Sequence, residues 1–113
     1  MPWTPETVFA PNETAIDSAK ELLKEYQFTL KDISVPITIR LFKVFGAEGV
    51  HFTQSHFIHT PVQIDKYTTS RPCNDSLGAA LHQVVFGFTS NYDVAVKKGH
   101  KPDAAWLIPN PNF

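Results

Sequence analysis

The chain has 113 residues, the size of one domain, and a formal charge of -1 from ten basic and eleven acidic residues. This balance argues against binding to nucleic acid or to an anionic membrane, since no strong positive field exists to attract phosphates. Hydrophobic residues make up 42% of the chain, which is enough for a globular core. We therefore predict a single domain over residues 1–113.

The chain has one cysteine, Cys73, and it also lacks the patterns of export and of membrane insertion. A single cysteine cannot form an internal disulfide, and this favours a reducing compartment. The first residues lack a basic region followed by an apolar run, and no segment approaches the roughly 20 apolar residues that span a bilayer. The sequence therefore predicts a soluble cytoplasmic protein.

The first elements in chain order are a short helical turn and an amphipathic helix. Thr4 and Pro5 are of the types preferred at a helix cap and at the first helical position. They predict a single turn over residues 5–9, within an amino-terminal arm at 1–11. Apolar residues at spacings of three and four then predict a surface helix over residues 13–28. The buried stripe of this helix would consist of Ile16, Ala19, Leu22, Leu23, Tyr26 and Leu30.

The next region has the period of two that is typical of strands. Apolar and polar residues alternate from Val35, and a segment rich in β-branched and aromatic residues follows two glycines, Gly46 and Gly49. These features predict an antiparallel hairpin with strands at 35–45 and 50–59.

The carboxyl-terminal half is predicted to add a third strand, a long helix and a tail. Residues 62–69 have the composition of a strand. The clearest periodic signal in the chain predicts a helix over 76–98 that ends at Gly99. We expect Trp106 to anchor the tail at 102–113. The predicted fold class is α+β, with both helices on one face of a small antiparallel sheet.

Three histidines, His51, His56 and His59, lie within one predicted strand. Zinc needs ligands at about 2.0–2.1 Å from one point. On an extended strand, His51 and His59 would lie roughly 27 Å apart and His56 would face the other way. We therefore predict no metal site. Phosphate-binding glycine loops, dinucleotide motifs and zinc-type cysteine pairs are also missing from the sequence, so no cofactor is predicted.

The segment before the long helix is a second candidate site. The N–H groups and the dipole at the start of a helix favour an anion, which Arg71 would help to bind. The same field would lower the pKa of a thiol placed there, so Cys73 is the one candidate nucleophile by position. Catalysis also needs a base within hydrogen-bond reach, but His82 lies about 10 Å or more along the helix. His56 or His59 would have to approach through the fold. The alternative is that this segment only caps the helix.

The outer side of the long helix is a third candidate. Ala79, His82 and Phe86 lie opposite or beside the core stripe, where small residues permit a close approach. Either the chain's own Trp3 or Trp106 segment packs there, or a second subunit does. A small sheet with an unpaired edge also favours association, because it is marginal unless it is extended or covered. We therefore predict a homodimer.

Two functions are compatible with these features. The first is a small interaction or assembly module that self-associates and has no catalytic activity, since catalytic motifs are missing. The alternative is a protein that binds a small ligand or an anion, or an enzyme. Its site would form where the end of the hairpin meets the start of the long helix. The residues of this site would be His56, His59, Arg71, Cys73 and His82.

Overall fold

The structure is a computed structural model, and it describes residues 2–9, 15–69 and 71–113. The chain forms, in order, helix α1 (Pro5–Val8), strands β1 (Lys20–Leu30), β2 (Ile33–Val44), β3 (Val50–Gln54), β4 (His56–Ile58) and β5 (Cys73–Asn74), helix α2 (Leu77–Lys97), a 3-10 turn (Ala104–Trp106) and strand β6 (Leu107–Pro109). A small antiparallel sheet with one long helix confirms the predicted α+β class.

Four strands form the main sheet in the order β1-β2-β3-β5, and β4 pairs with β6 in a separate two-stranded sheet. All of these pairings are antiparallel. The long strands β1 and β2 are joined by a turn at Lys31-Asp32, where Asp32 has a φ of 65°, a left-handed conformation that Asp tolerates. Strands β1 and β5 are the two edges. Because β5 has only two residues, β1 provides much the longer edge.

Helix α2 covers one face of the main sheet and forms the core with it. Phe52 of β3 is 4% exposed, and Phe88 of α2 is 1% exposed. Phe88 contacts Phe28 of β1 edge-on, with the ring centroids 5.7 Å apart. Full burial of such a side chain stabilises the fold by about 1.5–3 kcal/mol. The other buried hydrophobic side chains of β2 and α2 are those of Ile33, Ile37, Ile39, Leu41, Ala80, Val84 and Ala95.

The long helix begins and ends as predicted. The Ser76 side chain caps it by accepting the Ala79 N–H at 3.1 Å. The helix ends at Lys97, and Gly99 then has a φ of 90°, which glycine adopts without strain. The predicted helix over 76–98 is therefore confirmed. None of the helices in the described residues is both long and apolar enough to cross a membrane.

The predicted helix over residues 13–28 is wrong. Its first two residues lie outside the described part of the chain, residues 15–19 are not helical, and strand β1 follows. The register of β1 with β2 shifts directly after Leu22, which is a β-bulge. The extra residue interrupts the alternation of a strand. As a result, the spacing of Leu22, Leu23 and Tyr26 resembles a helical stripe.

Strands β2 and β3 form the predicted hairpin, but it is shorter than the ranges 35–45 and 50–59 imply. The change occurs at Ser55. Its hydroxyl oxygen accepts the Thr38 N–H at 2.8 Å, while its carbonyl accepts the Asn110 N–H at 2.8 Å. Ser55 thus directs its carbonyl toward the tail, and the chain continues as β4, which pairs with β6.

The predicted third strand over 62–69 is also wrong, because this region is a turn followed by irregular chain. Gln63 holds the turn with its side chain. The side-chain oxygen accepts the Thr60 N–H at 2.8 Å, and the side-chain nitrogen donates to the Ile58 carbonyl at 3.1 Å. Local bonds of this kind compete with the ladder of a sheet. The place beside β3 is taken by β5 instead.

The amino-terminal arm forms the predicted single turn. Helix α1 is capped by Thr4 and ends at Val8, within the predicted range 5–9. The Phe9 ring lies 5.2 Å from the Phe45 ring, just beyond β2. This ring contact attaches the described part of the arm to one end of the sheet.

The tail is anchored by Trp106, as predicted. Trp106 is 5% exposed and contacts Tyr92 of α2 edge-on, with the ring centroids 6.0 Å apart. The Tyr92 hydroxyl donates to the Lys31 carbonyl at 2.8 Å. Desolvation raises the pKa of Tyr92, and the charges of Asp32 and Asp93 raise it further, so the phenol keeps its proton at neutral pH.

Candidate functional site

The five residues of the predicted ligand site do not form one cluster. Arg71 and Cys73 line a cavity of about 360 Å³ at the start of α2, and none of the three histidines lines it. His56 begins β4 and His59 directly follows it, whereas His82 lies on the exposed side of α2. The structure therefore brings together only Arg71 and Cys73.

His56 and His59 take part in local hydrogen bonds. His56 Nδ1 lies 2.8 Å from the hydroxyl oxygen of Ser55, the residue at which the chain leaves the main sheet. His59 Nε2 lies 3.2 Å from the Gln63 carbonyl oxygen, to which it donates. Both contacts hold the turns around β4.

The cavity beside Cys73 is built around a close approach between two chain segments. Gly49 has a φ of 84°, and a Cβ atom at this position would lie 2.8 Å from the Asn74 carbonyl oxygen. Gln83 of α2 accepts a hydrogen bond from the Asn74 side chain at 3.0 Å and donates to the Arg71 carbonyl at 3.2 Å. The polar groups of this cavity therefore attach β5 to α2.

The charges around this cavity do not favour an anion. Arg71 is the one cation among its lining residues, and Glu48 and Asp75 line it as well. Two carboxylates next to one guanidinium offset the attraction that a helix start exerts on a negative ligand. We therefore regard this cavity as part of the packing between β5 and α2.

Cys73 lies opposite a histidine that the sequence did not connect with it. His51 of β3 and Cys73 of β5 are direct partners in the ladder. The Phe52 N–H donates to the Pro72 carbonyl at 2.9 Å, so that neighbouring pair is hydrogen-bonded. His51 and Cys73 therefore form a non-hydrogen-bonded pair, in which side chains approach most closely. Among the described residues the buried His51 Nε2 has no hydrogen-bond partner, so no hydrogen bond joins it to the thiol.

The outer side of α2 carries part of the predicted interface. His82 and Phe86 are exposed and stack on each other, with ring centroids 5.7 Å apart. Both line a shallow groove of about 350 Å³ that α2 residues alone form, whereas Ala79 does not line it. Trp3 is 81% exposed and Trp106 packs on Tyr92, so neither of the two predicted internal partners covers this groove.

The face of the main sheet opposite α2 carries a groove of about 690 Å³. We call it the open-face groove. The Lys20 ammonium lies 4.9 Å from the centre of the Phe42 ring, and the Arg40 guanidinium lies 4.1 Å from that of Phe113. Arg40 also donates to the Glu25 carboxylate at 2.8 Å, whereas no carboxylate among the described residues pairs with Lys20. Aromatic rings next to an unpaired cation suit an apolar group that carries a negative charge.

The free edge of the main sheet borders this groove. Strand β1 pairs with β2 on one side and with no strand of the described residues on the other. Eight of its eleven residues are exposed. Leu22 is 57% exposed and Tyr26 is 39% exposed, although both are apolar. The sequence predicts an unpaired edge but not its place, because the spacing of the apolar residues in this segment resembles that of a helix.

Nothing matches this chain in comparisons with protein-family models, with curated proteins and with solved structures. The described residues also contain no group of three or more His, Cys, Asp or Glu side chains that could hold a metal ion.

Proposed function

We propose that the protein is a small interaction module that self-associates through its main sheet and has no catalytic activity. The main observation in support of this proposal is the free edge of β1. An edge of eleven residues presents a row of backbone N–H and C=O groups that another strand can bind, and proteins usually shorten, twist or cover such edges. A homodimer would extend the sheet and bury the exposed side chains of β1. The single cysteine fits a reducing compartment.

The dimensions of the chain support the same proposal. Its radius of gyration is 17.1 Å, whereas a compact domain of this length has about 13 Å. The excess reflects an elongated shape of 62 × 23 × 21 Å. An elongated monomer with one helix on one face of its sheet leaves apolar surface for a second copy to bury.

The oligomeric state tests this function. We expect sedimentation velocity and light scattering, from low micromolar to about 100 μM protein, to give twice the chain mass of 12.7 kDa. A control at high salt separates the backbone and apolar contacts from the ionic ones, because salt screens exposed charges. A single monomeric species over the whole concentration range would contradict the proposal.

The open-face groove supports a second candidate function, the binding of a small apolar anion. Its volume lies within the range of about 300–1,000 Å³ that is typical of ligand pockets, and Lys20 has no carboxylate partner in the part of the chain that the structure describes. This site differs from the ligand site expected from the sequence. We expect an anionic fluorescent probe with an aromatic body to bind, and Phe42→Ala to weaken its binding several-fold. Phe86→Ala, at an exposed position, is the matched control. If both variants weakened probe binding equally, the open-face groove would not be the binding site.

A further inference from the structure

We propose that two copies of the chain pair through β1 in one antiparallel register, in which Lys20 lies opposite the partner's Glu25 and Glu21 lies opposite the partner's Lys24. This inference rests on the proposed self-association and adds the surface and the register. It concerns the first six residues of β1, Lys20-Glu21-Leu22-Leu23-Lys24-Glu25. We call this segment the pairing segment.

The charges of the pairing segment are complementary to those of a second copy that runs in the opposite direction. Read backward, each lysine meets a glutamate, each glutamate meets a lysine, and the two central leucines meet each other. A two-fold axis at the central leucines therefore creates four oppositely charged cross-strand pairs and no like-charged pair. Opposite charges stabilise a cross-strand pair, whereas like charges destabilise it.

The backbone of β1 directs the required groups toward the free edge. The Phe45 N–H donates to the Ala19 carbonyl at 3.0 Å, so the backbone groups of Phe45 point toward the β1 side. Because the direction alternates along a strand, every second residue of β2 before Phe45 also directs its backbone groups toward β1. The β2 residues between them direct theirs toward β3. Lys20, Leu22 and Glu25 all pair with β2 residues of this second kind. Their own N–H and C=O groups consequently point away from β2, toward a second copy.

The bulge after Leu22 makes this register geometrically possible. In a regular strand, two residues five positions apart face opposite sides and opposite edges. The one extra residue of the bulge changes this, so that Lys20 and Glu25 share both the free edge and the open face of the sheet. Lys20 and the partner's Glu25 are thereby on the same face of the joined sheet, and so are Glu21 and the partner's Lys24. A residue that obscured the strand in the sequence thus allows the charges to match.

The surroundings of the pairing segment also fit this arrangement. Lys20 has no carboxylate partner within the described residues, while Glu25 is 48% exposed and is bound by Arg40. The partner's Lys20 would approach the exposed side of Glu25. Leu22, now 57% exposed, would lie next to the two-fold axis and be buried there. The two open-face grooves would lie on the same side of the joined sheet, because Lys20, Leu22 and Glu25 line each groove.

Two charge variants test the register. The acidic variant Lys20→Glu/Lys24→Glu and the basic variant Glu21→Lys/Glu25→Lys each convert all four cross-strand pairs into like-charged pairs. We expect each alone to dimerise roughly 100-fold more weakly than the natural chain. Mixed in equal amounts, they restore every opposite pair. We therefore expect native mass spectrometry to show the mixed dimer in preference to either homodimer.

The control for the acidic variant is Lys97→Glu/Lys98→Glu, which makes the same change in net charge as that variant at exposed positions at the end of α2. It should dimerise like the natural chain, and circular dichroism should show that all variants are folded. Hydrogen exchange of the natural chain is an independent measurement, which requires no variant to fold. The amide protons of Lys20, Leu22 and Glu25 should become protected at concentrations where the dimer forms.

The outcomes distinguish this inference from the function on which it rests. If the natural chain is a dimer but the charge variants dimerise equally well, the register is wrong and self-association stands. If the natural chain dimerises without protection of the β1 amides, the surface is wrong. If the natural chain is monomeric throughout, both the inference and the proposed function fail.

Discussion

Replacement of Phe88 by alanine should lower the free energy of unfolding by about 3–5 kcal/mol. Phe88 is 1% exposed and lies where α2 crosses the main sheet. Its ring contacts Phe28 edge-on, so one side chain couples the long helix to the strand that carries the free edge. Removal of the ring leaves a cavity that neither a rigid helix nor a paired strand can fill. Urea unfolding at a fixed protein concentration measures the loss.

Phe86→Ala is the matched control for this experiment. Phe86 lies on the same helix and has the same side chain, but it is 57% exposed. We expect its replacement to change the free energy of unfolding by no more than about 0.5 kcal/mol. Similar losses for the two variants would mean that α2 does not present the face containing Phe88 to the sheet. The core and the open-face groove would then not lie on opposite faces of the main sheet.

The parts of the fold that could be predicted are those in which one pattern dominates over many residues. Helix α2 has a core stripe over 21 residues, a serine cap and a glycine after its last turn, and its bounds follow from these features. Strand β2 alternates without interruption, so its faces follow as well. In both elements the local pattern and the tertiary environment agree, which is why sequence alone was sufficient.

Strand β1 could not be predicted, because a bulge is invisible in a pattern of period two. Tyr26 and Phe28 alternate correctly, but the two adjacent leucines upstream shift the phase. The resulting spacing fits a helix better than a regular strand. Pairing with β2 decides between the two structures, since it satisfies the backbone groups along one whole side of β1.

The candidate sites were harder to predict than the fold, because they depend on contacts between distant segments. The pairing of Cys73 with His51 requires β5, a strand of two residues that has no sequence signal. The open-face groove combines Lys20 of β1 and Arg40 of β2 with Phe113 of the tail. The predicted ligand site placed His56 and His59 at the end of a continuous strand over 50–59, beside the start of the long helix, whereas the chain leaves the main sheet at Ser55.

The tail is part of the core, and a second large effect follows from this. Trp106→Ala should lower the free energy of unfolding by about 3–5 kcal/mol. Trp106 is 5% exposed, its ring packs on Tyr92, and its carbonyl accepts the His59 N–H at 2.8 Å. One residue therefore joins α2 to the small sheet of β4 and β6. Loss of the ring should loosen both, since the small sheet has only three residues in each strand.

Trp3→Ala separates this effect from a general cost of removing tryptophan. Trp3 is 81% exposed in the amino-terminal arm, so its replacement should change the free energy of unfolding by no more than about 0.5 kcal/mol. Far-ultraviolet circular dichroism should follow the unfolding, because the two variants differ in fluorescence. If Trp106→Ala were as stable as Trp3→Ala, the tail would be a dispensable extension. Phe113, which belongs to the same tail, would then be a poor candidate for a fixed wall of the open-face groove.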